Sequence, residues 1–155
     1  MVSKVSRDTP LAELVFRKYE KPYELPKRDL VKKLCLSLGL LQPGDSRNVV
    51  VDILFIFLSS KTKKSYSITE IQQQVISIRK QFKQPLFGIA ESNIRRQIRR
   101  LRALYLLEKI KTKYRLTEKS TLSEIFSEKI ESFVLHSIVS RIKEYIQEVD
   151  KRFSL

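Results

Sequence analysis

The sequence is short of the residues from which most chemical sites are built. Its single cysteine, Cys35, excludes an intrachain disulfide and a thiolate cluster for zinc, so it reads as a small buried hydrophobe. Its single histidine, His136, has no second His or Cys cluster to join and reads as a packing residue rather than a ligand. Three glycines leave little room for a backbone cradle around a phosphate. There is no glycine-rich phosphate loop, no nucleophile elbow and no close pair of acids with a histidine. Catalytic residues, metal and cofactor are therefore not expected, and the pattern points away from an enzyme. No apolar run approaches the roughly 18 residues of a membrane span, and MVSKVSRDTP lacks the apolar centre of a signal peptide. The expectation is a soluble cytoplasmic protein, nucleoid-associated if the source is prokaryotic, with no membrane partner. No small-molecule pocket is legible.

Acids are scarce as well: 17 Asp and Glu stand against 31 Lys and Arg, for a net charge of +14. An imbalance of that size speaks of partners rather than of fold. With 42% hydrophobic and 31% charged residues the chain can still form a core, and 155 residues fit one domain with an appendage. The positive charge is concentrated, because residues 91–115 hold nine Lys and Arg against two Glu. Solvation alone gives no reason to exclude carboxylates so thoroughly from one segment.

Thr9 and Pro10 look like the cap and first residue of a helix over 10–19. After KPYELPK, the stretch RDLVKKLCLSLG repeats leucines at helical spacing until Gly39 offers a left-handed stop. LLQPGDS is a turn in which Asp45 or Ser46 can cap the next helix. The run VVVDILFIFL is apolar on nearly every side, and its length with flanks favours a buried helix over a strand. Ser67 and Glu70 form a capping box, with Tyr66 and Ile71 at staple positions. Ile68, Ile71, Val75, Ile78 and Phe82 then mark one buried stripe, broken after Phe82 by KQPLFG.

In SNIRRQIRRLRALYLLEK, Ile94, Ile98, Leu101 and Tyr105 share one side of a helix turning about 100° per residue. Ser92, Arg96 and Arg99 fall opposite, flanked by Arg95 and Arg100, so the arginines form an outward ridge. Glu91 is the only acid in that helix, which leaves the repulsion for an outside polyanion to resolve. Next, LLEKIKTKYRLTE alternates as a two-stranded hairpin, with Ile110, Tyr114 and Leu116 expected inward and Lys109, Lys111, Lys113 and Arg115 outward.

The order of helix 45–60, helix 67–82, basic helix 91–105 and hairpin 107–117 resembles the winged helix-turn-helix family over about residues 45–118. The motifs that carry the likeness are SNIRRQIRRLRALYLLEK and KYRLT. The resemblance implies a mainly α fold: a core of three helices plus a two-stranded β-hairpin wing, with extra N-terminal helices in 1–44 and a long C-terminal helix in 119–155. It implies a recognition helix entering the major groove through Ser92, Asn93, Arg95, Arg96, Arg99 and Arg100. The hairpin would touch an adjacent phosphate or the minor groove through Lys109, Lys111, Lys113 and Arg115. Guanidinium forks suit both tasks, since they pair with phosphates and with the O6 and N7 edge of guanine.

Thr121 and Glu124 form a second capping box, opening a long amphipathic helix. Leu135, Ile138, Ile142, Tyr145 and Val149 recur at intervals of 3, 4, 3 and 4, as a coiled-coil seam requires. That face either pairs with a second copy or packs on the N-terminal helices. Three functions fit this pattern: a homodimeric, sequence-specific regulator on double-stranded DNA, an architectural protein coating DNA without preference, or a winged helix docking an acidic protein or RNA in a larger assembly.

Overall fold

The computed structural model describes residues 8–154. The first seven residues of the expected N-terminal extension and the last residue of the C-terminal helix segment lie outside the described residues. The described chain is mainly helical, with one two-stranded antiparallel sheet.

Pro26, extended at φ −53° and ψ 147°, leads into α1 (Lys27–Ser37). The helix ends where expected. Gly39 takes φ +73°, and the Leu40 N–H turns back to Cys35 O at 2.9 Å. Burial pushes the Cys35 thiol up to about 12, which makes it an inert core atom.

The helix expected over 10–19 does not form. These residues run as a strap across α1 instead, and Arg17 explains why. Its N–H donates to Ser37 O (2.9 Å), and its guanidinium donates to Leu36 O (3.2 Å), Leu41 O (3.4 Å) and Gln42 Oε1 (2.7 Å). The strap thus satisfies open carbonyls at the end of α1, whereas a ten-residue helix would be marginal by itself.

α2 (Val49–Ser59) is the buried helix expected of an all-round apolar run, and it packs against α1, against both following helices and against the hairpin. Neither Asp45 nor Ser46 caps it. The Asp45 carboxylate accepts from the Arg47 N–H, and the N-cap residue is Asn48. α3 (Ile68–Gln81) carries the expected capping box: Ser67 Oγ accepts the Glu70 N–H at 3.2 Å and Glu70 Oε1 accepts the Ser67 N–H at 3.1 Å. Ile68, Ile71 and Val75 are buried, but Phe82 lies past the last turn, partly exposed and edge-on to Phe55. Arg79 takes the inward place instead, because the Asp52 carboxylate meets it there.

α4 (Glu91–Ala103) buries Ile94, Ile98 and Leu101, each worth about 1.5–3 kcal/mol in area removed from water. Tyr105 does not join them. It sits beyond the helix end at φ +61°, its N–H on Arg102 O and that of Leu106 on Leu101 O, the closure usually given to glycine. Its ring stands edge-on to Phe133 at 6.3 Å.

β1 (Leu107–Ile110) and β2 (Lys113–Leu116) pair with Leu107 opposite Leu116 and Lys109 opposite Tyr114. This register turns Ile110 outward, against expectation, and sets Lys109, exposed as expected, on the Tyr114 face. Tyr66 adds a third edge through two 2.8 Å backbone hydrogen bonds to Tyr114.

After a tight turn at Thr117–Lys119, Thr121 caps α5 (Leu122–Ile125). The winding loosens to a π-helix over Phe126–Leu135 and continues as α6 (His136–Phe153). Half of the second capping box is present: Thr121 Oγ accepts the Glu124 N–H, while the Glu124 carboxylate accepts the Thr121 hydroxyl rather than a backbone N–H. Ile125 and Ile130 anchor this rod in the core, yet α6 has no buried residue. His136 is exposed rather than buried in the packing expected of it.

Candidate nucleic-acid interface

Gly88 and Asn93 set the start of the arginine helix. Asn93 Nδ2 donates to Gly88 O at 2.7 Å, and a Cβ on Gly88 would lie 2.9 Å from that nitrogen and 3.3 Å from Val49. Only glycine accommodates both the contact and its φ of +77°. Asn93 Oδ1 accepts from Gln97 Nε2 at 3.1 Å. Asn93 therefore acts inside the protein, while Ser92 stands exposed beside it.

The five arginines of α4 fall into distinct environments. Arg95 folds onto Glu91 at 2.7 Å, so the lone acid compensates the nearest of them. Arg100 turns back, donating from Nη1 to Gln97 Oε1 (2.9 Å) and from Nη2 to Gly39 O (3.2 Å). Arg102 lies 5.9 Å from the Tyr114 ring centre. Arg96 and Arg99 are exposed and engage no described residue through a hydrogen bond, ion pair or ring contact. They crown the ridge directly opposite Ile94, Ile98 and Leu101.

The wing cations divide in the same way. Lys109 reaches the Tyr114 ring at 5.9 Å, Lys113 lies 3.7 Å from Glu70, and Arg115 pairs with Glu108 at 2.7 Å. Lys111 remains exposed without such a partner, at the left-handed first position of the turn (φ +57°). Between hairpin, α3 and α4 lies a cleft of about 310 Å³ whose lining includes Ser67, Thr69, Arg95, Lys109 and Thr112. Hydroxyls and cations from three elements meet there, together with the Glu91 carboxylate that pairs with Arg95.

The five seam residues of the rod differ in exposure. Leu135 and Ile138 are half-buried, whereas Ile142, Tyr145 and Val149 are exposed by 52%, 70% and 53%. Val139, Ile146 and Phe153 widen the same apolar side. They recur every seven residues too, a signal available in the sequence beside the narrower seam. Residues 8–12 run next to Ile138 and Ile142 and leave Ile142 largely exposed.

Sequence reasoning misses a buried ionic cluster. Asp52 receives Arg28 Nε on Oδ1 (2.8 Å) and Arg79 Nη1 on Oδ2 (2.7 Å); Asn48 Oδ1 also accepts from Arg79 (2.8 Å), whose Nε donates to Pro85 O (2.6 Å). Two signals for it exist in the chain: an acid inside VVVDILFIFL, and an arginine four residues beyond Val75 on the buried stripe.

Among the described residues no group of three or more His, Cys, Asp and Glu could hold a metal, and no helix is long and apolar enough to cross a membrane. In comparison with known proteins, no family model, no curated protein and no solved structure matches this chain.

Proposed function

We propose that the chain binds double-stranded DNA in a sequence-dependent way, as a homodimeric transcriptional regulator built on a winged helix-turn-helix unit over about residues 45–118. The observation that carries this reading is the pair Arg96 and Arg99: exposed, unpartnered among the described residues, and held on a helix whose other side is locked by Ile94, Ile98 and Leu101. Two free guanidinium forks on a rigid ridge suit base edges in a major groove. The hairpin beside it offers Lys111 to a phosphate, and Thr69 and Lys109 in the adjoining cleft offer further backbone contacts. The order α2, α3, α4, hairpin supports the family likeness. A second copy fits the exposed apolar side of α6, since paired half-sites call for a two-fold protein.

The test is a selection of bound duplexes from a random pool, read at two salt concentrations. A recurring motif with paired half-sites supports the reading. Binding without any preference at either salt replaces it with architectural coating of DNA. A second reading, docking of an acidic protein or RNA, has its own observation. Leu86 and Phe87, just before α4, are 43% and 58% exposed, an apolar pair that a phosphate backbone does not reward. Failure to bind duplex at low salt, with capture of an acidic protein or RNA, would put that reading first.

A further inference from the structure

The strap does not collapse onto α1 along its whole length. Between Glu20 and Leu25 it arches away, stiffened by Pro22 and Pro26, and encloses a cavity of about 340 Å³ above α1. Leu25 lines it from the strap, Leu30 and Leu34 from α1, Leu58 from the end of α2 and Leu122 from the first turn of the rod. A second apolar hollow, about 430 Å³, shares Leu34 and Leu122 with it and continues towards Phe126. Leu30 is 46% exposed and Tyr23 55% exposed, so these large apolar groups border solvent with no described side chain covering them.

The polar groups at the mouth are few: Lys21 is exposed, and Glu20, Lys33 and Ser37 are satisfied. Lys33 Nζ lies 2.7 Å from Glu20 and 4.8 Å from the Tyr19 ring centre, and Ser37 Oγ donates to Lys33 O. The hydrogen bond from Lys33 holds the Glu20 carboxyl below the usual carboxylate range, and the same bond raises Lys33, so both stay charged and spoken for at neutral pH. The mouth therefore presents a closed ion pair, with the exposed Lys21 beside it, below walls that are otherwise apolar.

We infer that this cavity is a binding site for an uncharged small molecule with an apolar aromatic or aliphatic body. Its volume falls in the range of small-molecule clefts, and its walls are leucine and tyrosine, among which a carboxylate would lose its hydration. One molecule there would touch strap, α1, α2 and the start of the rod together. The inference stands on the cavity alone and is independent of what the arginine ridge binds.

1-Naphthol, uncharged at neutral pH and carrying one hydroxyl, is the probe, with 1-naphthoate as its anionic counterpart. Both are titrated into the full chain labelled at leucine, isoleucine and valine methyl groups. Saturable shifts at Leu25, Leu30, Leu58 and Leu122 are expected, with naphthol binding more tightly than naphthoate. Leu34→Trp and, separately, Leu25→Trp fill the cavity from opposite walls and should each weaken binding at least tenfold while the Ile71 and Ile98 methyl signals stay in place. Should one variant fail to fold, the other carries the comparison. Shifts that do not saturate, shifts confined to Val139, Ile142, Ile146 and Val149 on α6, tighter binding of naphthoate, or unchanged affinity in the folded tryptophan variants would each overturn the inference.

Discussion

Asp52 and Arg79 meet at 2.7 Å with neither side chain exposed to solvent. Arg28 closes on the other carboxylate oxygen at 2.8 Å, so one acid serves two buried guanidinium groups. The cluster ties α1, α2 and α3 together and, through Arg79 and Pro85 O, fixes the loop that leads into α4. Arg79 Nη2 is buried and finds no partner among the described residues, which makes the remaining bonds more critical. Removing the acid strands two cations in the core. Asp52→Ala is therefore expected to lower the free energy of unfolding by about 3–5 kcal/mol, measured by urea denaturation. A loss below about 1 kcal/mol would mean that the site is wetter than its geometry indicates.

Arg96→Ala and Arg99→Ala should each reduce the ratio of specific to nonspecific DNA affinity by roughly 5–150-fold, the range of 1–3 kcal/mol for one good bidentate base contact. Arg100→Ala should do less to that ratio, because Arg100 already donates to Gly39 O and Gln97. Lys111→Ala should weaken all sequences alike and lower the salt slope by about one. Binding titrations on a selected site and on random duplex, at several salt concentrations, separate these behaviours. Equal losses at all four positions would remove the assignment of base reading to the ridge.

The rod makes a separate prediction. Ile142→Lys and Val149→Lys each place a charge on the exposed apolar side of α6, where no residue of the same chain is buried. Sedimentation should find the parent chain dimeric and either variant monomeric, with helix content and unfolding midpoint of the core little changed. A parent chain that remains monomeric throughout the micromolar range would leave the face without its expected partner.

Legibility in the sequence tracks the range of the interaction. Gly39, the Ser67–Glu70 box and the inward Ile94, Ile98 and Leu101 depend on neighbours within a turn or two, and all stand where their spacing puts them. Arg17 lies about twenty residues from the carbonyls it satisfies, and Asp52 about twenty-five from both of its arginines. No local period encodes such pairings, so the strap carries the local marks of a helix and the ionic cluster carries almost none. At the ridge the spacing displays which side faces outward. It already points to Arg96 and Arg99 as the pair farthest from the core; what it cannot display is that Arg95 and Arg100 are engaged within the protein.

The capping box supplies a test with a defined direction in pH. Hydrogen bonding from the Ser67 backbone N–H, then from its hydroxyl, with Lys113 nearby, lowers the Glu70 pKa from 4.5. A depressed carboxyl pKa contributes stability that is fully present above 4.5 and lost as the pH falls through the lower folded value. The difference in stability between the parent chain and Glu70→Gln should accordingly be flat from about pH 6 to 8 and shrink below pH 4.5. Ser67→Ala should cost about 1 kcal/mol at neutral pH through the lost cap. Acid titrations followed by circular dichroism measure both; a difference that grows on acidification would reverse the assigned direction.

Two glycines allow the strap contact to be isolated from backbone strain. Gly39 and Gly44 both have positive φ, +73° and +79°, so alanine at either position carries a similar conformational penalty of about 1 kcal/mol. They differ in what the added methyl meets. At Gly44 nothing lies within 4 Å, whereas at Gly39 the new Cβ would stand 2.1 Å from the Val15 carbonyl oxygen, a backbone atom that can yield only if the strap moves. Gly39→Ala should therefore destabilise the fold beyond Gly44→Ala and also release the Arg17 N–H from Ser37 O, raising its hydrogen exchange. Matching stability losses in the two variants, with Arg17 equally protected in both, would show that the strap does not depend on that close approach.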